Sequence, residues 1–417
     1  MLIYFLNFLS IPIYRKFVND KKKLCFLVSL QLFLILALRH NYMGVDMSNY
    51  EPGYAYIAGL NFSDMISRLH FMKIADLIYP YSFESGWVVF NWLIAFLGGN
   101  FHTLLVIHAL ICISSVGYFI YKNSDCPWLS FTIFVSFSYY VYCFGILRQM
   151  MMIAILLFSF DRIKNKKNMQ AFLLFLLAFT IHRTAIMFFA VFIVANFVLT
   201  EKWFKLYLLF CIIIGITGPL YIPYLIRIAF SIMGKTSYIS KITGITYNNM
   251  TLLLFLIAIL IYLFAKDSIF KNKTRDNLLF SVYNISLVLS IASMYSDIFG
   301  RPNQMFYIMM IALIPNVIEM QNSTELNIFR IETWFSKFCR IVCNIVTKIL
   351  EFVDSKIISK ITKKENVFGI SKFINKPDNE KLCLIGKFSV YVLMFTFMVV
   401  SLHGDEILVP YRFFFQK

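Results

Sequence analysis

The sequence predicts an all-α, polytopic integral membrane protein, and three observations support that fold class. Apolar residues make up 59% of the chain and charged residues only 15%, whereas soluble proteins carry about 25% charged residues. Apolar runs of about 20 residues, the length that a helix needs to cross a bilayer, recur along the 417 residues. The net charge of +17 is typical of the Lys and Arg excess in cytoplasmic loops. Composition therefore disfavours an ordinary soluble domain, and it gives no reason to expect nucleic-acid binding.

We predict about twelve transmembrane helices, followed here in chain order. They are placed at about 2–18, 24–40, 101–121, 127–145, 148–163, 168–182, 184–200, 205–226, 251–265, 277–296, 302–319 and 386–402. A further apolar stretch at 86–97 is too short to span, and it predicts one short re-entrant or interfacial helix on the outer side. Residues 1–14 lack a basic leader and a small-residue cleavage site, so we expect a retained first helix there.

Charge sets the predicted orientation of these helices. Basic clusters belong on the cytoplasmic side of the membrane. All the basic clusters fall on the cytoplasmic side only if the segment 86–97 does not cross the membrane. Both termini of the chain then lie on the outer side. The clusters are at 15–23, 162–167, 202–205, 266–275 and 320–387.

The predicted organisation has three parts. Residues 1–319 form the transmembrane core, with outer loops at 40–85 and 227–250. Residues 320–385 form a basic cytoplasmic insert, whose apolar residues recur at helical spacing as in an amphipathic helix on the inner membrane surface. Whether that helix couples to a partner or only lies on the membrane stays open. Residues 386–417 supply the last transmembrane helix and an outer tail.

The cations predicted to lie outside are mostly arginines, although lysine is the commoner cation in the whole chain. Arginine forms bidentate contacts with phosphate, whereas lysine, a point charge, is a poorer match for phosphate. Arg148 lies in a nearly unbroken apolar stretch, 131–160, where an ionisable residue is costly and indicates function. Any single arginine has the alternative of snorkelling to the interface. The seven outer arginines are Arg39, Arg68, Arg148, Arg183, Arg227, Arg301 and Arg412.

These residue types suit glycosyl transfer at a lipid-linked diphosphate. Arg148, Arg39 and Arg301 are the first candidates for holding the diphosphate leaving group, with Arg183 behind them. A carboxylate or imidazole would take the proton from the attacking sugar hydroxyl, as a general base does. The candidates, in order of preference, are Asp46, Glu84 and His182.

Each base candidate also has a structural alternative. In these alternatives Asp46 forms a turn, Glu84 stabilises a helix N-terminus, and His182 lies at the membrane interface without a catalytic role. Three tyrosines are candidates for stacking sugars, or else belong to an aromatic belt; they are Tyr50, Tyr139 and Tyr140. The eight cysteines form no Cys-x-x-Cys pair, and no Asp-x-Asp occurs, so we predict neither a metal site nor a cofactor.

An ordered set of short motifs resembles the EpsG family of polysaccharide-biosynthesis membrane proteins, a branch of the Wzy-like O-antigen and capsule polymerases. The resemblance covers roughly residues 1–320 and the tail, and 320–385 is longer than the family pattern. The motifs are Arg39, Gly44-Val45-Asp46, Tyr50, Glu84-Ser85-Gly86, Tyr139-Tyr140, Arg148-Gln149, Phe158-Ser159-Phe160, Ala178-Phe179-Thr180-Ile181-His182, Gly300-Arg301, Tyr307 and Pro410-Tyr411.

The resemblance implies an inverting, metal-independent glycosyltransferase at the outer face of the bacterial inner membrane. It would move a growing glycan from undecaprenyl diphosphate onto a lipid-linked repeat unit, for O-antigen, capsule or exopolysaccharide. Its partners would be the lipid-linked donor and acceptor and membrane lipids, with a chain-length regulator and a flippase as candidate protein partners.

Two other classes stay open at this point. A transporter or flippase of lipid-linked sugars would need polar groups spread through the membrane midplane, whereas the candidate residues cluster at predicted outer helix ends. A membrane acyltransferase that modifies the glycan would need a histidine-centred site, and the six histidines show no grouping in the sequence.

Overall fold

The computed structural model describes residues 2–67, 69, 83–137, 139–232, 242, 249–270, 275–323, 378–402 and 411–415. Within these ranges the chain is helical, and its extended pairing is limited to one antiparallel bridge between Arg39 and Phe413. The α-helices are α1 (Leu2–Phe17), α2 (Lys21–Ala37), α3 (Met47–Ala58), α4 (Phe62–Ser67), α5 (Ser85–Phe96), α6 (Phe101–Asn123), α7 (Pro127–Ser136), α8 (Tyr139–Gly145), α9 (Leu147–Lys164), α10 (Asn168–Ile181), α11 (Phe189–Val194), α12 (Glu201–Thr217), α13 (Ile222–Ile232), α14 (Asn249–Ile269), α15 (Arg275–Ser293), α16 (Gly300–Tyr307), α17 (Met310–Ser323) and α18 (Asp378–Leu402).

The centre of the bundle is a layer in which α6 packs between α2 and α9, and α9 packs in turn against α10. The start of α6 is fixed by a reciprocal cap. The Asn100 side chain accepts from the Thr103 N–H at 2.9 Å, and the Thr103 hydroxyl accepts from the Asn100 N–H at 3.2 Å. Helix α9 is buried along almost its whole length. It therefore forms a fixed axis that joins the two ends of the bundle.

Among the described residues, four helical segments are long and apolar enough to cross a membrane: α6, Glu201–Leu220, α14 and α15. The pair α7 and α8, bent by 51°, makes a fifth if it counts as one span. The all-helical membrane class is thus confirmed. The count of about twelve spans is not confirmed, and it stays a prediction.

Several predicted spans are divided in the structure. The predicted span 184–200 consists of a 3-10 segment, Arg183–Phe188, and the six-residue α11. The predicted span 302–319 is shared between α16 and α17. Near Gly218 the chain leaves the α-helix and passes through the 3-10 turn Gly218–Leu220, where the proline ring removes a helical N–H.

The short outer helix predicted at 86–97 is observed as α5, which has 12 residues. It is about 18 Å long, well below the roughly 30 Å hydrocarbon core. Its position relative to the membrane stays a prediction. The predicted loop 40–85 contains two helices that we did not expect, α3 and α4, and α3 packs against α5.

A polar cluster ties the helices together at the far end of α9. Arg275 binds both carboxylate oxygens of Asp125 at 2.9 and 2.6 Å, and it contacts Asp276 at 3.1 Å. The Asn316 amide bridges the Asp276 carboxylate at 2.6 Å and the Asn123 carbonyl at 2.8 Å. These contacts clamp the starts of α7 and α15 to α17.

Three parts of the predicted organisation lie wholly or mostly outside the described residues. The amphipathic insert 320–385 falls largely in the undescribed stretch 324–377. The same holds for most of the outer loop 227–250 and for 70–82 of the outer loop 40–85. The three-part division of the chain therefore stays a prediction.

Candidate active site

Glu84, which lies just before α5, contacts two basic side chains: Arg148 at the start of α9 and His182 at the end of α10. The Glu84 carboxylate forms an ion pair with Arg148 through Oε2. Its other oxygen, Oε1, lies 2.9 Å from Nδ1 of His182 and accepts from the Arg183 backbone N–H at 3.4 Å. The Glu84 side chain is 9% exposed, against 21% for Arg148 and 24% for His182. The carboxylate is therefore the buried centre, and the two basic side chains reach from it towards the surface.

Glycine places Glu84 against the end of α10. A Cβ built on Gly86 would lie 2.3 Å from the Thr180 hydroxyl oxygen and 2.8 Å from the Thr180 carbonyl carbon. Helix α5 can approach α10 this closely only because position 86 has no side chain. Thr180 is two residues before His182, so the same approach brings Glu84 to the imidazole.

Aromatic rings pack against the guanidinium of Arg148. Its guanidinium lies 5.0 Å from the Phe83 ring centre and 5.9 Å from that of Tyr50, within the range of cation–π contacts. The Arg148 backbone N–H points to the Tyr50 hydroxyl oxygen at 3.5 Å. Tyr50 stacks on Phe83 and meets Trp87 edge-on. The rings and the Glu84 carboxylate together fix the orientation of the Arg148 guanidinium.

The surroundings of Glu84 keep its carboxylate ionised. Burial by itself raises the pKa of Glu84, but the hydrogen bond with His182 and the charge of Arg148 oppose it. Their combined effect lowers the pKa of Glu84 from 4.5 to about 2. At neutral pH the group is therefore an anion that only accepts hydrogen bonds.

A second charged pair lies beside this cluster. The guanidinium of Arg301, at the start of α16, is 4.0 Å from the carboxylate of Asp46, which precedes α3. Gln149 connects the two clusters, because it follows Arg148 and its amide donates to the Arg301 carbonyl and to the Gln304 side chain. Asp46 makes no side-chain cap bond to α3 and is 27% exposed, so its carboxylate faces the Arg301 side.

Arg39 is placed apart from these pairs. Its guanidinium is completely buried, donates to the Cys143 carbonyl at 3.2 Å and lies 5.0 Å from the Phe144 ring centre. Its Nε and Nη2 have no hydrogen-bond partner among the described residues. The tail residue Phe413 pairs with Arg39 through the backbone. None of these contacts joins Arg39 to Glu84 or Arg148, and its diphosphate-binding role stays a prediction.

The predicted glycan-binding tyrosines are buried. Tyr139 and Tyr140 have no exposed surface, and the Tyr140 hydroxyl donates to the Leu32 carbonyl at 2.7 Å. Tyr139 packs against Phe134 and Tyr307. Tyr50 is 5% exposed. A glycan-binding role for these rings stays a prediction, and their observed contacts support the site from within the core.

The structure thus brings together seven of the predicted site residues, in two neighbouring clusters: Glu84, Arg148, His182, Arg183 and Tyr50, and Asp46 with Arg301. Gln149 and Gln304 were not predicted as site residues. The only sequence signal for Gln149 was its place next to Arg148. In the described part of the chain no three His, Cys, Asp or Glu side chains are grouped to hold a metal ion. Metal independence stays a prediction.

Comparison with known proteins identifies a family but no individual relative. The model of the EpsG family matches residues 22–353, which is more than three quarters of the chain and includes every residue of both clusters. It also enters the segment 320–385 that we took as a departure from the family pattern. No curated protein and no solved structure matches the chain. The length of the family match establishes that the chain belongs to the EpsG family.

Proposed function

We propose that the chain is a glycosyltransferase that polymerises undecaprenyl-diphosphate-linked oligosaccharide repeat units at the outer face of the bacterial inner membrane. The observation that carries the proposal is the convergence of Arg148, Glu84 and His182 at one end of the bundle. Family membership and the apolar helices agree with a membrane-embedded enzyme of polysaccharide assembly. The product is an O-antigen, a capsule or an exopolysaccharide.

The charge balance of the two clusters suits an anionic leaving group. Two guanidinium groups, those of Arg148 and Arg301, contact the two carboxylates, those of Glu84 and Asp46, and Arg183 adds a third arginine whose backbone N–H donates to Glu84. Arg301 is 62% exposed, and its ion pair with Asp46 is long, at 4.0 Å, so it can turn towards a diphosphate. A guanidinium fixed in a partly buried site stabilises charge that develops as the bond to the diphosphate breaks.

The reaction this supports is an inverting displacement. The acceptor hydroxyl attacks the anomeric carbon of the donor glycan, and lipid diphosphate leaves from the opposite side. The arginines stabilise the leaving group, and a base beside them accepts the hydroxyl proton. In this scheme the protein groups position both lipid-linked substrates and neutralise charge, with no metal ion required.

One alternative has its own structural support. A membrane acyltransferase needs a histidine-centred site, and the His182–Glu84 pair supplies one. A flippase is favoured less, because the charged clusters described here lie at helix ends and not along the middle of the helices. The lipid-linked intermediates that accumulate in cells distinguish the three classes.

The test uses a strain that lacks the gene, complemented with the wild type, Arg148→Ala or Arg15→Ala. Arg15 is exposed, and within the described part of the chain its side chain donates hydrogen bonds to Val18 and Asn19, far from both clusters in sequence, so its variant is the matched control. We expect long glycans from the wild type and from Arg15→Ala. Arg148→Ala should leave single repeat units on the lipid at the outer face.

Equal glycan length for Arg148→Ala and the wild type, at equal protein level, would contradict the proposal. Repeat units trapped at the inner face of the deletion strain would indicate a flippase. Long glycans that lack an acyl group in that strain would indicate an acyltransferase.

A further inference from the structure

Three donors already occupy the Glu84 carboxylate. Its Oε2 is taken by Arg148, and its Oε1 is shared by His182 Nδ1 and the Arg183 N–H. The side chain is also almost fully buried. A sugar hydroxyl would have to compete with these three donors for a carboxylate that is almost fully buried. Glu84 is therefore poorly placed to accept a proton from substrate, although the sequence ranked it above His182 as a base.

We infer that His182 is the catalytic base and that Glu84 is a positioning residue that orients the imidazole. This inference rests on the proposed function, and it assigns separate roles to two residues that sequence analysis treated as alternatives. Its structural basis is the 2.9 Å contact between Glu84 Oε1 and His182 Nδ1 together with the partial exposure of the ring.

The chemistry of the contact determines which imidazole nitrogen is available. An ionised carboxylate can only accept a hydrogen bond, so the proton between Glu84 and His182 lies on Nδ1. In the neutral ring, Nε2 then carries the lone pair. Nε2 makes no hydrogen bond to any described residue, and the side chain is 24% exposed. A carboxylate that holds one histidine nitrogen while the other accepts a proton is the arrangement of known acid–base catalysts.

Charged groups lie on several sides of the imidazole. Glu84 lies on one side of the ring, with Arg148 bound to the far carboxylate oxygen. Arg183 follows His182 in the chain and begins the 3-10 segment Arg183–Phe188. Helix α16, which begins with Gly300 and Arg301, packs against that segment. The carboxylate stabilises the imidazolium that forms during reaction, and the arginines attract the diphosphate towards it.

The proposed step balances as follows. The acceptor hydroxyl gives its proton to His182 Nε2, and its oxygen forms a bond to the anomeric carbon of the donor glycan. The bond between that carbon and the diphosphate oxygen breaks, and its electron pair leaves with the lipid diphosphate. The imidazolium then returns its proton to solvent or to the departing phosphate. No oxidant, reductant or further reactant is needed.

The pH dependence of chain growth tests this assignment in purified protein supplied with a defined lipid-linked repeat unit. His182→Gln should lower the rate by about 100-fold or more, the usual contribution of general-base catalysis. Glu84→Gln keeps an oxygen for Nδ1 but removes the charge, so the acid limb of the pH–rate profile should move to lower pH. His102→Gln is the control, because His102 contacts Asn41 and Phe414 outside both clusters.

Three results would overturn the assignment. One is a His182→Gln enzyme that keeps more than a tenth of the wild-type rate. Another is an acid limb that Glu84→Gln leaves in place. The third is a loss of the pH dependence in Asp46→Asn and not in His182→Gln, which would make Asp46 the base.

A spectroscopic measurement separates this inference from the proposed function, because it needs no activity. Nitrogen NMR of histidine-labelled protein, with the signal assigned by His182→Gln, should show His182 protonated on Nδ1. In Glu84→Ala, which gives the ring no carboxylate, the proton should move to Nε2. A wild-type ring protonated on Nε2 would refute the role of Glu84. Absence of chain growth by the wild type, with the Nδ1 tautomer present, would instead refute the proposed function.

Discussion

Replacing Gly86 by alanine tests whether close packing of α5 on α10 sets the geometry of the Glu84–His182 pair. The added Cβ would meet the Thr180 hydroxyl oxygen at 2.3 Å and the Thr180 carbonyl carbon at 2.8 Å. The hydroxyl can rotate away, but the backbone carbon cannot. The Thr180 Cβ, at 2.7 Å, is closer still and equally fixed, so restoring an ordinary 3.4 Å contact requires the two helices to separate by about 0.7 Å.

That separation would lengthen the hydrogen bond between Glu84 and His182. Glu84 Oε1 and His182 Nδ1 are 2.9 Å apart, and a shift of this size stretches the pair beyond the usual hydrogen-bond range. Loss of a hydrogen bond to a charged group costs roughly 1.5–3 kcal/mol. If the transition state needs that bond, chain growth should fall by about 10- to 100-fold. Overpacking should also destabilise the fold by about 1–3 kcal/mol.

The assay compares initial rates of chain growth for purified wild type, Gly86→Ala and Gly215→Ala. Gly215 lies in α12, and a Cβ there would meet nothing within 4 Å, so this variant is the matched control and should keep the wild-type rate. Size-exclusion profiles in detergent check that each protein is folded. Full activity of a folded Gly86→Ala would refute the claim that this helix contact sets the catalytic geometry.

Three further predictions concern the same end of the bundle. The ionised Glu84 has a lowered pKa, so its contribution to stability should be complete above about pH 4.5 and be lost as pH falls towards 2. Thermal unfolding of the wild type and Glu84→Gln should therefore differ above pH 5 and converge as pH falls towards 2; convergence above pH 5 would contradict this. Gly44→Ala should prevent folding or lower the unfolding temperature sharply, because Gly44 has a φ of +133° and its Cβ would lie 2.1 Å from the Phe144 carbonyl oxygen; a normal melting curve would contradict this. Tyr140→Phe should destabilise by about 1 kcal/mol through loss of the hydrogen bond to the Leu32 carbonyl, without changing the rate of chain growth; a selective loss of rate would instead support glycan binding.

Sequence reasoning predicted the membrane class and some helices well because their signals are local. A span was predicted at 101–121 and observed as α6, where the apolar run is unbroken and Asn100 caps its start. The short helix at 86–97 was predicted for the same reason and observed as α5. Helix α3 was missed because its sequence is polar, contains Pro52 and Gly53, and resembles a loop.

The candidate site was predictable as a set of residue types but not as a set of contacts. Arg148 was identified because a cation in an apolar run has an evident cost. Its pairing with Glu84, and that of Glu84 with His182, joins residues that are 64 and 98 positions apart, and nothing local specifies those contacts. Tyr140 was predicted as a glycan-binding residue, and its side chain is buried. In the sequence, a tyrosine beside a predicted outer turn is as compatible with the core as with a surface.

Chain growth by purified protein tests the central claim most directly. The wild type and Arg148→Ala are each mixed with one defined undecaprenyl-diphosphate-linked repeat unit, with and without a chelator, and glycan length and released lipid diphosphate are measured. We predict that the wild type forms long glycans, releases one lipid diphosphate for each unit added and is unaffected by the chelator, and that Arg148→Ala forms almost none. Equal activity of the two proteins, or no chain growth by folded wild type, would contradict the account.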